Sequence, residues 1–127
     1  KLPETLVVVG GGVIGTEFAS MFARLGVRVT VVDRAERVLC FLDAQIGEAL
    51  QYHLRGRGMT LRMKEEVAEV VRHGEDEKNR VETRLVSGKV LRSDALLYCL
   101  GRQGATGGLN LAAVGLALLA VALLKAG

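Results

Sequence analysis

The residues best placed to do chemistry are three glycines, an acid and two arginines. Gly10, Gly12 and Gly15 are spaced G-x-G-x-x-G, directly after the apolar run Thr5-Leu-Val-Val-Val9 and directly before a helical pattern. A second apolar run from Val27 ends in Asp33. This arrangement suits the holding of a dinucleotide. The first glycine permits a tight turn out of a strand, the second lets backbone approach a diphosphate, and the third lets the new helix pack against the strand. The helix start offers unpaired N–H groups and a partial positive charge to phosphates. An acid about 20 residues beyond the glycines accepts the ribose hydroxyls of an adenosine, which favours NAD over NADP. Arg34 and Arg37 follow that acid. Each could pair with a 2′-phosphate, or be a solvated loop charge.

Placing these groups together takes alternating strands and helices. Thr5 to Val9 has no polar face, which predicts a central parallel strand covered on both sides. Ile14, Phe18, Met21, Phe22 and Leu25 recur at helical spacing. They predict an amphipathic helix ended by Gly26. Asp43 is the expected cap of a second helix running to about Arg57, with Ile46, Leu50 and Leu54 on one face. Met59 to Met63 alternates as a third strand does.

The pattern then changes. Val67 to Arg72, Arg80 to Val86 and Lys89 to Arg92 read as short antiparallel strands, with turns at Glu75-Asp-Glu-Lys-Asn79 and Ser87-Gly88. Ala95 to Leu100 is again continuous and apolar, as expected of a parallel strand returning beside the first. It ends in Gly101-Arg102, and ligands in open α/β sheets sit at the carboxyl ends of strands. The expected fold is α/β, a Rossmann-like parallel sheet with a three-stranded antiparallel β-meander in place of a crossover helix.

Composition excludes several other classes. Of 127 residues half are hydrophobic and 24% charged, which argues against disorder. The net charge is +3 with aromatics at 4%, and the basic residues are interleaved with acids. No basic stripe or stacking platform for nucleic acid results. Cys40 and Cys99 are far apart in sequence, and neither they nor His53 and His73 have zinc-ligand spacing, so no metal is expected. Sparse cysteine and an opening without a cleavable apolar segment predict a reduced, cytoplasmic chain. Leu109 to Leu124 carries no charge. That run is short for a membrane span of about 20 residues, and no membrane contact is expected. It reads as a core or interface helix, a non-native terminus, or alanine standing in for other side chains, the last two being preferred.

The glycine run Gly10-Gly11-Gly12-Val13-Ile14-Gly15 with Glu17, the acid Asp33, the meander, and Ala95-Leu-Leu-Tyr-Cys-Leu-Gly101-Arg102 resemble the NAD(P)-binding domain of the pyridine nucleotide-disulfide oxidoreductase family. Phe41-Leu-Asp43 and Tyr52-His53-Leu54-Arg55 are most similar to its soluble pyridine nucleotide transhydrogenases. The resemblance covers residues 1 to about 111, with 112–127 as the apolar tail. It implies that Gly10 to Gly15 hold the pyrophosphate and that Asp33 meets the adenosine ribose. It also implies that Val67 touches adenine by backbone and that Gly101 lies beside the cofactor. Glu17 would face the nicotinamide–flavin junction, the alternative being an exposed first-turn acid.

Members of the family are several times longer and carry FAD domains and a dimerisation domain. By resemblance this is an excised middle domain whose partners are NAD(H) or NADP(H) and the flavin domain of a homo-oligomeric parent. The implied parent reaction is hydride transfer between NADPH and NAD+ through FAD. A dihydrolipoamide dehydrogenase-type disulfide oxidoreductase and a stand-alone NAD-sensing module are the alternatives.

Overall fold

The computed structural model describes residues 1–74, 80–101, 110 and 113. The expected turn at 75–79, Arg102, the boundary at 111 and, apart from 110 and 113, the uncharged run 109–124 lie outside the described residues. The elements in order are β1 (Thr5–Val9), α1 (Val13–Arg24), β2 (Arg28–Asp33), α2 (Ala44–Gly56), β3 (Thr60–Met63), β4 (Val67–Arg72), β5 (Val81–Leu85), β6 (Val90–Ser93) and β7 (Ala95–Tyr98).

Valine fills the central strands because a β-branched side chain packs well on a pleated surface buried from both sides. The parallel sheet runs β3-β2-β1-β7, and β4-β5-β6 form a separate antiparallel sheet. Val7 sits between Thr30 of β2 and Leu96 of β7, so the returning strand lies beside the first as expected. Successive side chains point to opposite faces. Leu6, Val8, Val29 and Val31 accordingly join Ala19, Leu54 and Met59 in the helix-side core. Val7, Val9 and Val32 join Leu85 of the meander on the other side, with Val67, Leu91 and Leu96 packed around them. The carboxylate of Asp94, between β6 and β7, accepts from the backbone N–H of Thr5 at 2.9 Å and from its hydroxyl at 2.8 Å. These bonds tie the meander's exit to the start of β1.

On both helices part of the apolar stripe turns away from the sheet. The face of α1 turned to the sheet is Gly15, Thr16 and Ala19, with Phe22 partly buried. Phe18, Met21 and Leu25 instead lie 41%, 53% and 61% exposed, in a stripe with Ile14. At its N-terminal end the helix comes close to the strand: a Cβ on Gly15 would stand 1.9 Å from the Gly10 carbonyl oxygen, so only glycine fits there, while Phe22 packs on the core two turns later. In α2, Leu54 is buried and Leu50 packs on the core, but Ile46 is exposed. Gly47 and Gln51 are buried in its stead. Asp43 caps α2 as expected, accepting from Gln45 N at 2.9 Å.

Candidate functional site

The glycine turn is built from two closed positions and one open one. Gly10 leaves β1 with φ +112°, where a side chain would be strained, and its Cβ would lie 2.7 Å from the Cys99 carbonyl oxygen. Gly15 is closed by the Gly10 carbonyl. Gly12, the N-cap of α1, faces open space, with nothing within 4 Å of a Cβ placed there. No side chain caps the helix at Gly12. The first N–H groups of α1 are therefore available to an anion in the space that the missing Cβ leaves.

Asp33 stands at the carboxyl end of β2, and both its oxygens are engaged. Oδ2 accepts a short bond from Gly11 N–H and Oδ1 accepts from Ala35 N–H at 2.8 Å. The acid thereby pins the glycine turn to the end of β2. Gly11 is held from its other side too, since its carbonyl accepts from Leu39 N–H at 2.8 Å and from the Thr16 hydroxyl at 3.1 Å.

A cleft of about 210 Å³ opens here, at the carboxyl ends of β1, β2 and β7. Gly10, Gly11 and Gly12 form one wall, Asp33, Ala35 and Arg37 a second, Leu39, Cys40 and Phe41 a third, and Cys99, Leu100 and Gly101 a fourth. Gly101 adopts φ +75°, a conformation that favours glycine. Burial pushes the Cys99 thiol up, which keeps it protonated at neutral pH. The arrangement can hold an anionic, hydroxyl-bearing ligand by backbone donors, a carboxylate and a guanidinium.

The expected site residues divide into two groups. Gly10, Gly11, Gly12, Asp33, Arg37 and Gly101 converge on the cleft. Val13, Ile14, Gly15, Glu17, Arg34 and Val67 do not line it. Val13 and Ile14 open α1 with exposed side chains, and Gly15 supports the turn from beneath. Glu17 is exposed beyond the first turn of α1, which contains no acid; the first-turn alternative is therefore corrected. Val67 pairs with Leu85 at the start of β4 and packs on the meander-side core.

The two arginines separate as well. Arg34 is 73% exposed and lies 3.5 Å from Glu66. Arg37 is 20% exposed, bonds Glu36 at 2.7 Å, and lays its stem over Gly47, where a Cβ would come 3.0 Å from Cδ. Its Nε is buried without a partner.

Leu39, Cys40, Phe41, Cys99 and Leu100 are cleft residues that sequence reasoning missed. One signal was available. The connection between β2 and α2 covers residues 34–43, longer than the usual two to six of such loops, and long loops carry function. The positive φ of Leu39, +49°, had no such signal.

A glycine turn at the carboxyl edge of a parallel sheet, with a meander on the sheet's other face, is the architecture of flavoprotein oxidoreductases. LpdA from Mycobacterium tuberculosis shares it with a TM-score of 0.78 and 35% identity, covering 91% of this chain and 24% of that one. The HOCl-induced flavoprotein disulfide reductase RclA from Escherichia coli shares it with a TM-score of 0.75 and 36% identity over 84% of this chain and 23% of that one.

The chain belongs to the pyridine nucleotide-disulphide oxidoreductase family, which it matches over residues 1–121. It is similar to the soluble pyridine nucleotide transhydrogenase of Marinobacter nauticus, 47% identical over 114 residues, 90% of this chain and 24% of the relative. The corresponding protein of Mycobacterium bovis is 45% identical over 116 residues, 91% of this chain and 24% of the relative. The chain thus spans about a quarter of the length of these relatives, and the resemblance read from the motifs is borne out. Among the described residues, no helix is long and apolar enough to cross a membrane.

Proposed function

We propose that this chain is the nicotinamide-nucleotide-binding part of an FAD-dependent oxidoreductase whose reaction is hydride transfer between NADPH and NAD+. The observation that carries the nucleotide reading is the contrast within the glycine turn. Gly10 and Gly15 are closed by packing, while Gly12 is open over an uncapped helix start. A pyrophosphate would occupy that opening, with the ribose toward Asp33 and Arg37 beside any 2′-phosphate. Similarity to soluble transhydrogenases supports the use of both nucleotides. FAD, when bound in the intact enzyme, would supply the hydride acceptor. The residues of this chain would bind and orient the nucleotide, so that by themselves they hold it without turning it over. The exposed stripe Ile14, Phe18, Met21 and Leu25 supports packing of α1 against another body over a self-sufficient sensing module, because apolar surface of this kind marks interaction faces.

Gly12→Val fills the open position and leaves the closed ones untouched. Calorimetric titration should show the native chain binding NADH and NADPH, and the variant losing about tenfold or more for both with its thermal midpoint nearly unchanged. Undiminished binding by a folded variant would remove the glycine turn from the site.

A further inference from the structure

α1 and α2 lie on one face of the parallel sheet, and a groove of about 430 Å³ opens between them. Ala23, Leu50, Leu54 and Met59 give it an apolar floor, of which Leu54 and Met59 belong to the core. Its rim is basic. Arg24 comes from the last turn of α1 and Arg57 is the C-cap of α2. Arg57 donates from Nε to His53 Nε2 at 3.1 Å. Among the described residues, neither arginine has a carboxylate partner. The helix dipoles account for an arginine at each C-terminus. They do not account for an apolar trough between the two. The volume falls in the range of small-ligand sites, about 300–1,000 Å³. Helices run opposite to the strands they connect, so these C-termini lie at the sheet edge away from the glycine turn.

We propose that this groove is a second binding site, separate from the cleft at Gly12, for a small amphipathic carboxylate. The apolar body would lie on Leu50, Leu54 and Met59, and the carboxylate would be shared between the guanidinium groups of Arg24 and Arg57. Guanidinium–carboxylate bonds are charge-assisted, and in this groove they would form beside low-dielectric surface.

Octanoate is the probe, with octanol as its neutral counterpart, each titrated calorimetrically into the chain. Octanoate should bind, octanol about tenfold more weakly, and the double variant Arg24→Glu/Arg57→Glu should lose about tenfold or more in octanoate affinity. Should that variant fail a circular-dichroism check of folding, Arg24→Gln/Arg57→Gln gives the same reading without charge reversal. Absence of octanoate binding overturns the proposal. So does equal binding of octanol, or an affinity that survives the arginine changes but falls with Met21→Glu on the exposed stripe of α1.

Discussion

The two faces of the parallel sheet are covered by different means. On the helix face Val8, Val29 and Val31 meet Ala19, Leu54 and Met59, so contact there is apolar and close. On the meander face a smaller apolar cluster around Val7, Val9, Val32 and Leu85 is flanked by ion pairs. Glu65 accepts from Lys89 at 2.5 Å and from the Ser87 hydroxyl at 2.6 Å. Glu82 accepts from Arg84 at 2.8 Å, with Arg92 at 3.6 Å and His73 at 3.7 Å. The hydrogen bond from Lys89, then that from Ser87, holds the Glu65 carboxyl below its usual range, and the hydrogen bond from Arg84 does the same for Glu82. The difference teaches that close packing limits what the helix face can accept, while hydrogen bonds to two carboxylates join the strands of the meander and the segment before it.

The largest test of that contrast is Gly15→Ala. A methyl group placed 1.9 Å from the Gly10 carbonyl forces α1 away from β1, and overpacking against backbone should cost about 3 kcal/mol or more in urea unfolding. A variant as stable as the native chain would show that the helix face yields. The next effect is pH dependence. Both carboxylates have folded values below their unfolded ones, so their contribution is complete above the ordinary carboxylate range and disappears as the pH falls through the folded values. Urea midpoints should therefore fall on acidification, and Glu65→Gln/Glu82→Gln should lower the neutral-pH midpoint while flattening that decline. An unchanged acid slope would move the pH sensitivity elsewhere. The smallest effect is at Thr83, fully buried in β5 with its hydroxyl unpartnered. Thr83→Val removes the orphaned group and should raise stability by about 1 kcal/mol. A loss of stability would mean that the hydroxyl is satisfied in solution.

Much of this fold was legible because the period of its apolar residues was clear. Thr5–Val9 and Val67–Arg72 form strands over the residues expected, and Asp43 caps α2. Reading stopped short at helix faces. Phe18, Met21 and Leu25 satisfy a helical period, yet they lie outward, because the side of α1 that meets the sheet is the neighbouring one carrying Gly15, Ala19 and Phe22. Periodicity finds an apolar stripe but not what it faces. Within the candidate site, Gly10, Gly12 and Asp33 were legible through local motif chemistry. Leu39 and Cys99 were not, because the loop after β2 and the end of β7 meet the glycine turn only in space.

The sequence by itself determined the strand–turn–helix unit, its glycine spacing, the acid that follows and the family, since all of these reside in short segments with local physical requirements. The tertiary structure alone decided which glycine is open, that Asp33 pins Gly11, and that Arg37 enters the cleft while Arg34 turns to Glu66. Those outcomes depend on how closely distant segments approach, and that distance is set by packing across the sheet rather than by any residue's neighbours in the chain.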